Sequence, residues 1–222
     1  MSARERILGD VRRALGRGEL SEQAKAGLET RLKSGKANLI PARSDKPHDA
    51  QIDLFAEMAE GVQASVARVP DGSDVPGAVA DYLAQNNLPS DIVMAPDENL
   101  DAYPWAERPL LRMRRGKAEG ADQVSITAAE MAFAETGTLM LTSDAARPST
   151  LNFLPENHIV VLRAEQITGA YEEGWKRLRS QDANIPRTVN LITGPSRTGD
   201  IEQTIQLGAH GPRRLHIIIV EG

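Results

Sequence analysis

Apolar and polar positions follow two different spacings along the chain. Over residues 2–16, apolar residues recur every three or four positions, which predicts an amphipathic helix. A second, more polar helix is predicted over 19–33. Residues 34–49 are rich in Gly, Lys, Ser and Asp and contain two prolines, so they are interpreted as a linker. Residues 1–48 are therefore predicted to form a helical extension that precedes the main domain, 49–222.

Short apolar runs alternate with helical spacings in the main domain. Strands are predicted at 65–69, 92–95, 123–127, 138–142, 158–162, 189–192 and 215–220. Helices are predicted at 52–62, 75–87, 168–180 and 200–207, and the region 97–122 is expected to be irregular. Three of the runs, 158–162, 189–192 and 215–220, lack strict alternation, which is typical of strands buried on both faces. The order of elements predicts an α/β fold with a mainly parallel sheet and helices on both sides.

Composition narrows the possible functions. The net charge of −5 argues against a general nucleic-acid-binding protein. The chain has no cysteine, so it has neither a thiol nucleophile nor thiolate ligands for a metal or an iron–sulfur cluster. No apolar run approaches the roughly 18 residues of a membrane helix, and the charged N-terminus does not resemble a signal peptide. No membrane span and no cofactor are therefore predicted, and the expected location is the cytoplasm.

The segment TGPSRTGDIE, residues 193–202, has the glycine spacing of a phosphate-binding loop. That loop requires Lys and then Ser or Thr after its second glycine, but Asp200 and Ile201 stand there, which excludes a P-loop. The segment is predicted to join a strand to a helix whose free N–H groups bind a carboxylate or phosphate. In the alternative interpretation, Thr198 only caps this helix and Asp200 only complements its dipole. The candidate ligand-binding residues are Gly194, Ser196, Arg197, Thr198 and Asp200.

The segment AETGTLMLTS, residues 134–143, is a second candidate site. Glu135 follows an apolar stretch, where a carboxyl group can serve as acid, base or nucleophile. Thr136, Gly137 and Thr138 are candidate ligand contacts, because glycine allows the backbone to approach a ligand closely. The alternative is a turn before a strand, in which Gly137 is needed only for the backbone geometry.

Basic and imidazole side chains supply further candidates. Arg147 precedes a proline in a loop of small residues and is a candidate anion clamp. His158 begins a strand and His210 lies between glycines; both are candidate ligand contacts, although a lone histidine is more often structural. The spacing of the late histidines does not specify a metal site, and no metal ligand is predicted. A basic group is interpreted as a solvated loop or helix face, with an anion-binding surface as the alternative: Arg108, Arg112, Arg114, Arg115 and Lys117.

The motifs of residues 134–220 together resemble one known family. They are ETGT before a strand, an Arg-Pro loop, Leu-Pro-x-x-His-Ile, Gly-Pro-Ser-x-Thr-x-Asp-Ile-Glu and Gly-x-His-Gly-Pro. As an ordered set they resemble the LUD domain family of lactate utilization proteins. The resemblance implies a three-layer α/β/α domain like that of the NagB, ribose-5-phosphate isomerase and CoA-transferase superfamily.

The same resemblance implies a place in a bacterial system that oxidises L-lactate to pyruvate, in which partner proteins carry the iron–sulfur clusters. Three functions remain open for this chain. It is an accessory subunit that binds a small carboxylate or phosphate; or an enzyme acting on CoA thioesters or sugar phosphates, with Glu135 as nucleophile or base; or a protein that only interacts with partners. The enzyme alternative rests on analogy with the wider fold.

Overall fold

A computed structural model of the chain describes residues 2–34, 39–181, 185–201 and 204–222. The chain divides into two compact units, 1–38 and 39–222. The predicted division at residue 48 stays a prediction. The described helices are α1 (Ala3–Ala14), α2 (Glu22–Ser34), α3 (His48–Gly61), α4 (Val75–Gln85), α5 (Glu98–Asp101) and α6 (Tyr171–Gln181).

The first unit consists of the two predicted N-terminal helices, α1 and α2. Helix α1 begins with a capping box, in which the Ser2 hydroxyl accepts from the Glu5 amide and the Glu5 carboxylate accepts from the Ser2 amide. Neither helix buries a residue. The apolar stripe that the sequence predicts is therefore formed on α1 and stays exposed.

The second unit contains the strands of the fold. They are β1 (Ser65–Val69), β2 (Asp91–Met94), β3 (Arg112–Arg115), β4 (Val124–Ala128), β5 (Met131–Phe133), β6 (Thr138–Thr142), β7 (Asn157–Arg163), β8 (Ile167–Thr168), β9 (Val189–Ile192), β10 (Arg197–Ile201), β11 (Thr204–Leu207) and β12 (Arg214–Val220). Six of them form one sheet in the order β1-β12-β7-β4-β2-β3, and every neighbouring pair in it is parallel. The predicted mainly parallel sheet is confirmed.

Both faces of the six-stranded sheet are buried. Along β7, Ile159 and Val161 pack in a cluster with α4 and α5, whereas Val160 and Leu162 pack in a second cluster with α3. Side chains of β12 alternate between the same two clusters. These are the continuous apolar runs that predict strands covered on both sides, and for β7 and β12 that prediction is confirmed.

A second, four-stranded sheet lies over the α3 side, in the order β8-β5-β6-β9. Strands β6 and β9 pair antiparallel here, so the predicted strands 138–142 and 189–192 do not belong to the large sheet. The expectation that 189–192 is buried on both faces is wrong. Strand β9 is the edge strand of the small sheet, and Leu191 is 44% exposed. Helix α6 packs on the small sheet through a third cluster that includes Phe133 and Leu178.

The predicted helix over 200–207 is wrong. This part of the chain forms a hairpin in which β10 pairs antiparallel with β11, Arg197 opposite Leu207 and Thr198 opposite Gln206. The sequence is rich in β-branched residues over 198–205, which favours extended backbone. The few apolar residues of this segment recur at helical spacing over only eight positions, which is a weak indication of a helix. Hydrogen bonding between the two strands of the hairpin stabilises the extended conformation instead.

The basic group in the region expected to be irregular lies mostly on β3, the edge strand of the large sheet. Arg112, Arg114 and Arg115 therefore lie on a strand and not on a loop or helix face, whereas Arg108 and Lys117 lie outside the strand. Three of its arginines pair with acids: Arg112 with Asp91, Arg114 with Asp122 and Arg115 with Asp101. Charged side chains on an edge strand hinder pairing with the strands of other molecules.

Candidate functional site

A cavity of about 280 Å³ lies where β7 and β12 begin. Its wall is built by the turn after β9, by the segment before β12 and by residues that precede β7. The described lining residues are Asn152, Phe153, His158, Leu191, Ile192, Thr193, Gly194, Pro195, Ser196, Arg197, His210, Gly211, Pro212 and Leu215. Five of the predicted site residues, from three separate segments, therefore meet here: His158, Gly194, Ser196, Arg197 and His210.

The turn after β9 depends on glycine. Gly194 has φ of +72°, in the left-handed region that side-chain-bearing residues rarely adopt. A Cβ atom at this position would also overlap the carbonyl oxygen of Val62, at the end of α3. Glycine therefore allows the turn to sit directly against α3, which fixes one wall of the cavity.

Ser196 joins the two segments that form the cavity. Its N–H donates to the Pro212 carbonyl over 2.9 Å, and its carbonyl accepts from the Gly208 N–H over 2.9 Å. Its hydroxyl oxygen accepts from the His210 N–H over 3.3 Å. Because an oxygen atom can accept a second bond and the hydroxyl can still donate, Ser196 remains able to bind a ligand.

His158 is fully buried and lines the cavity. Its Nε2 lies 2.8 Å from the Thr127 hydroxyl, whereas Nδ1 is buried without a hydrogen-bond partner among the described residues. Burial lowers the pKa of His158 to about 3, so the ring is neutral near pH 7. When Nε2 accepts from Thr127, Nδ1 carries the proton and is free to donate; in the other tautomer Nδ1 accepts.

The remaining lining groups favour an anion. Arg197 and His210 are exposed at the cavity, and within the described parts of the chain Arg197 has no ion-pair partner. The described lining residues include no acidic side chain. Thr198 is buried on β10 and is not among them. The side chain of Asp200 lies outside the described residues, and its predicted place at a helix start is corrected by the β10–β11 hairpin.

Glu135 lies elsewhere and contacts the start of a helix. Its side chain is buried, and its Oε1 accepts from the N–H of Tyr171, the first residue of α6, over 3.2 Å. A carboxylate at this position stabilises the free N–H groups and the positive end of a helix. The adjacent Gly137 has φ of +64° and packs against the backbone of Met58 and Ala59 in α3, so its need for glycine is explained by packing.

The threonines of the same segment reach the cavity indirectly. The hydroxyls of Thr136, Thr138 and Tyr171 lie within 2.7 to 2.9 Å of one another. The Thr138 hydroxyl also lies 2.6 Å from that of Thr193, which lines the cavity. Thr138 is therefore one hydrogen bond away from the wall of the site, although it does not line it.

Arg147 is engaged by two acids of the protein. Its guanidinium donates to Glu130 over 2.6 Å and to Asp144 over 2.5 Å. The hydrogen bond from Arg147 lowers the pKa of Asp144. With both sides of the guanidinium engaged, Arg147 holds its loop in place, and it is not among the residues that line the cavity.

Sequence reasoning did not single out several lining residues. Asn152, Phe153, Thr193 and Pro212 lie within or next to the quoted motifs, but their types carry no signal of chemistry. Thr127, which orients His158, comes from a different strand, β4, outside the quoted motifs. Among the described residues, no three His, Cys, Asp or Glu side chains are grouped as they would be around a metal ion. No described helix is long and apolar enough to cross a membrane.

The family model described as the LUD domain matches residues 52–220. The chain belongs to the LUD domain family. A lactate utilization protein C of Geobacillus sp. (strain WCH70) is 33% identical over 128 residues, which are 56% of this chain and 52% of that protein. A lactate utilization protein C 1 of Bacillus mycoides is 35% identical over 107 residues, 47% of this chain and 45% of that protein. This LUD-domain chain thus spans about half the length of the curated relatives it matches.

A solved structure supports the fold. The crystal structure of a DUF162 family protein from Deinococcus radiodurans superposes with a TM-score of 0.60, covering 79% of this chain and 99% of that one. The two sequences are 23% identical, so the likeness concerns the fold alone. The α/β fold expected for a LUD domain is confirmed.

Proposed function

We propose that this LUD-domain chain takes part in bacterial L-lactate utilization, as an accessory subunit that binds a small carboxylate. The observation that carries the proposal is the cavity at the start of β7 and β12, which is lined by Arg197, Ser196 and His158, and the Nδ1 of His158 has no hydrogen-bond partner among the described residues. The names of the curated relatives, lactate utilization protein C, supply the metabolic context.

The lining groups fit the two ends of a 2-hydroxy or 2-oxo acid. The Arg197 guanidinium offers paired N–H donors to a carboxylate. His158, deeper in the wall, offers Nδ1 to the oxygen on C2, as a donor to a keto oxygen or as an acceptor from a hydroxyl. A cavity of about 280 Å³ lies at the small end of ligand sites, which suits a three-carbon acid.

Partner proteins, not this chain, carry out the electron transfer. The chain has no cysteine, so it cannot hold an iron–sulfur cluster through thiolate ligands. Its role is to recognise the acid, and its partners are iron–sulfur proteins of the same system. This division of labour is proposed from the family relationship and the cysteine count.

Calorimetry of the full chain tests the binding site. L-Lactate and pyruvate are expected to bind, and Arg197→Gln is expected to weaken both by about tenfold or more, because a hydrogen bond to a charged group is lost. Arg43→Gln, at an exposed position of the same unit, is the matched control. Propionate, which lacks the oxygen on C2, should bind more weakly than lactate. If neither L-lactate nor pyruvate gives a binding signal up to millimolar concentrations, carboxylate recognition is refuted. A protein that only interacts with partners would then be favoured.

Genetics tests the metabolic role independently. Deletion of the gene is expected to abolish growth on L-lactate, while growth on pyruvate continues. The wild-type gene should restore growth, and tagged protein should co-purify with iron–sulfur proteins. Unchanged growth of the deletion strain on L-lactate would contradict the proposed metabolic role, independently of the calorimetry.

A further inference from the structure

Helix α1 carries an apolar stripe that no part of the described chain covers. It consists of four side chains that are between 44% and 58% exposed: Ile7, Leu8, Val11 and the C-cap residue Leu15. At about 100° per residue, these side chains fall within an arc of about 100° of the helix circumference. Neither α1 nor α2 buries a residue, so the stripe is not the core of the first unit.

The free charges beside this stripe are positive. The two acids of α1 are engaged, because Glu5 forms the capping box with Ser2 and Asp10 pairs with Arg13. Three further arginines are exposed and form no ion pair among the described residues: Arg4, Arg6 and Arg12. The helix therefore presents an apolar face together with unpaired guanidinium groups, which is typical of helices that lie on a lipid surface.

Two of these arginines lie at the stripe itself. Arg4 and Arg12 stand four residues before and four residues after Leu8, so both are its neighbours on the helix surface. A protein groove that enclosed the stripe would bury both guanidinium groups, which is costly unless acids are placed to pair with them. At a bilayer surface, the apolar stems of the arginines lie beside acyl chains while their guanidinium groups reach lipid phosphates. The arrangement therefore favours a lipid surface over a groove.

The distribution of charge along the chain selects an anionic lipid surface. Residues 1–38 contain nine Lys and Arg but five Asp and Glu, which gives a formal charge of +4, whereas residues 39–222 carry −9. An anionic surface attracts the first unit and repels the second. Contact is therefore favoured through the unit that carries the apolar stripe.

A second copy of this chain is less complementary to α1. The cavity at the start of β7 and β12 offers apolar side chains, Phe153 and Leu191. Its described lining also includes Arg197 and has no acidic side chain, so it does not complement the arginines of α1.

We infer that α1 binds the surface of an anionic bilayer, with its apolar stripe at the acyl-chain boundary and with Arg4 and Arg12 on lipid phosphates. One short helix with four large apolar side chains makes this contact peripheral and reversible. The surface is separate from the carboxylate cavity of the proposed function, and either can fail without the other.

Co-sedimentation of the full chain with lipid vesicles tests the inference. Vesicles of phosphatidylglycerol and phosphatidylcholine in equal parts are expected to bind the protein at least about tenfold more tightly than vesicles of phosphatidylcholine alone. Binding to the anionic vesicles should weaken as the salt concentration rises from about 0.1 M to about 0.5 M, because salt screens exposed charges.

Paired substitutions separate the stripe and its arginines from charge in general. Arg4→Gln with Arg12→Gln should weaken binding by about tenfold or more, since each arginine near an anionic surface contributes about fivefold. Arg31→Gln with Lys33→Gln removes the same charge from the last turn of α2 and is the matched control, with the smaller effect expected.

Leu8→Gln with Val11→Gln tests the apolar contact. Glutamine is a good helix former and both positions are exposed, so the fold is retained. Binding should weaken by about tenfold or more, because the apolar area that enters the bilayer is lost. Leu110→Gln, at an 84% exposed position of the second unit, should leave binding unchanged.

The inference is overturned if anionic vesicles bind the protein no more tightly than neutral ones, or if the α2 control weakens binding as much as the α1 arginine pair does. It is equally overturned if vesicles do not bind while ultracentrifugation shows a dimer that Leu8→Gln with Val11→Gln dissociates. A second copy of the chain would then cover the stripe.

Discussion

Acidification should destabilise this protein through its two buried histidines. In the folded state, burial lowers the pKa of His158 to about 3 and that of His216 to about 4, from an ordinary value of 6.5. Below pH 6.5 the unfolded chain takes up protons that the folded chain does not. The stability contributed by neutral burial is therefore complete above the unfolded pKa and falls as the pH drops toward the folded pKa.

The size of this effect follows from the two pKa values. Between about pH 7 and about pH 4.5, each histidine should remove about 2.5 kcal/mol from the free energy of unfolding. Together they should remove about 5 kcal/mol, which is comparable to the whole stability of many domains. Carboxylates contribute their own pH dependence, so the histidine part has to be isolated with variants.

The assay is urea unfolding of the wild-type protein, His158→Gln and His216→Asn, at about pH 7 and about pH 4.5. Glutamine places its amide near Nε2 and keeps the contact of His158 with Thr127, and asparagine does the same for Nδ1 of His216 with Ser65. Each variant is expected to lose about 2.5 kcal/mol less than the wild type between the two pH values. Equal losses in wild type and variants would show that the histidines are not buried as neutral rings.

Three further substitutions probe the packing and pairing around the site. Gly194→Ala should lower the free energy of unfolding by about 2 kcal/mol or more, since it combines a positive φ with overlap on the Val62 carbonyl; Gly61→Ala, with open space around it, is the control. Arg147→Gln should cost about 1–2 kcal/mol in urea unfolding, because two carboxylates lose their charged partner, and an unchanged midpoint would contradict this. Glu135→Gln should lower the free energy of unfolding by about 1 kcal/mol, because the carboxylate at the start of α6 is lost. Lactate binding, measured by calorimetry, should be unchanged. A loss of binding at unchanged stability would instead indicate that Glu135 contacts the ligand.

The local sequence pattern predicted a strand correctly where the segment lies within one sheet and has the same kind of surroundings along its length. Strand β1 and strand β6 occupy the predicted residues, and β7 and β12 show the two-sided burial expected of continuous apolar runs. The pattern failed for the predicted helix over 200–207, where the outcome depends on pairing between β10 and β11. It also could not assign β9 to the small sheet, because a short apolar run does not reveal which strand it will pair with.

The motifs identified the family, but they did not say which of their side chains share a site. His158, Ser196 and His210 meet at one cavity because β12 lies beside β7 in the sheet, in a register that sets Leu215 opposite His158. Glu135 and Arg147 are equally prominent in the sequence, yet their partners are the start of α6 and two nearby acids.

The sequence by itself therefore determined most of the local elements, the α/β class and the LUD family. Only the tertiary structure decided which polar groups are already paired and which face a cavity. The physical reason is that backbone preference and apolar spacing act over a few neighbouring residues. Strand order and register instead bring together residues far apart in the chain, such as Arg108 and Gly77, or His216 and Tyr82.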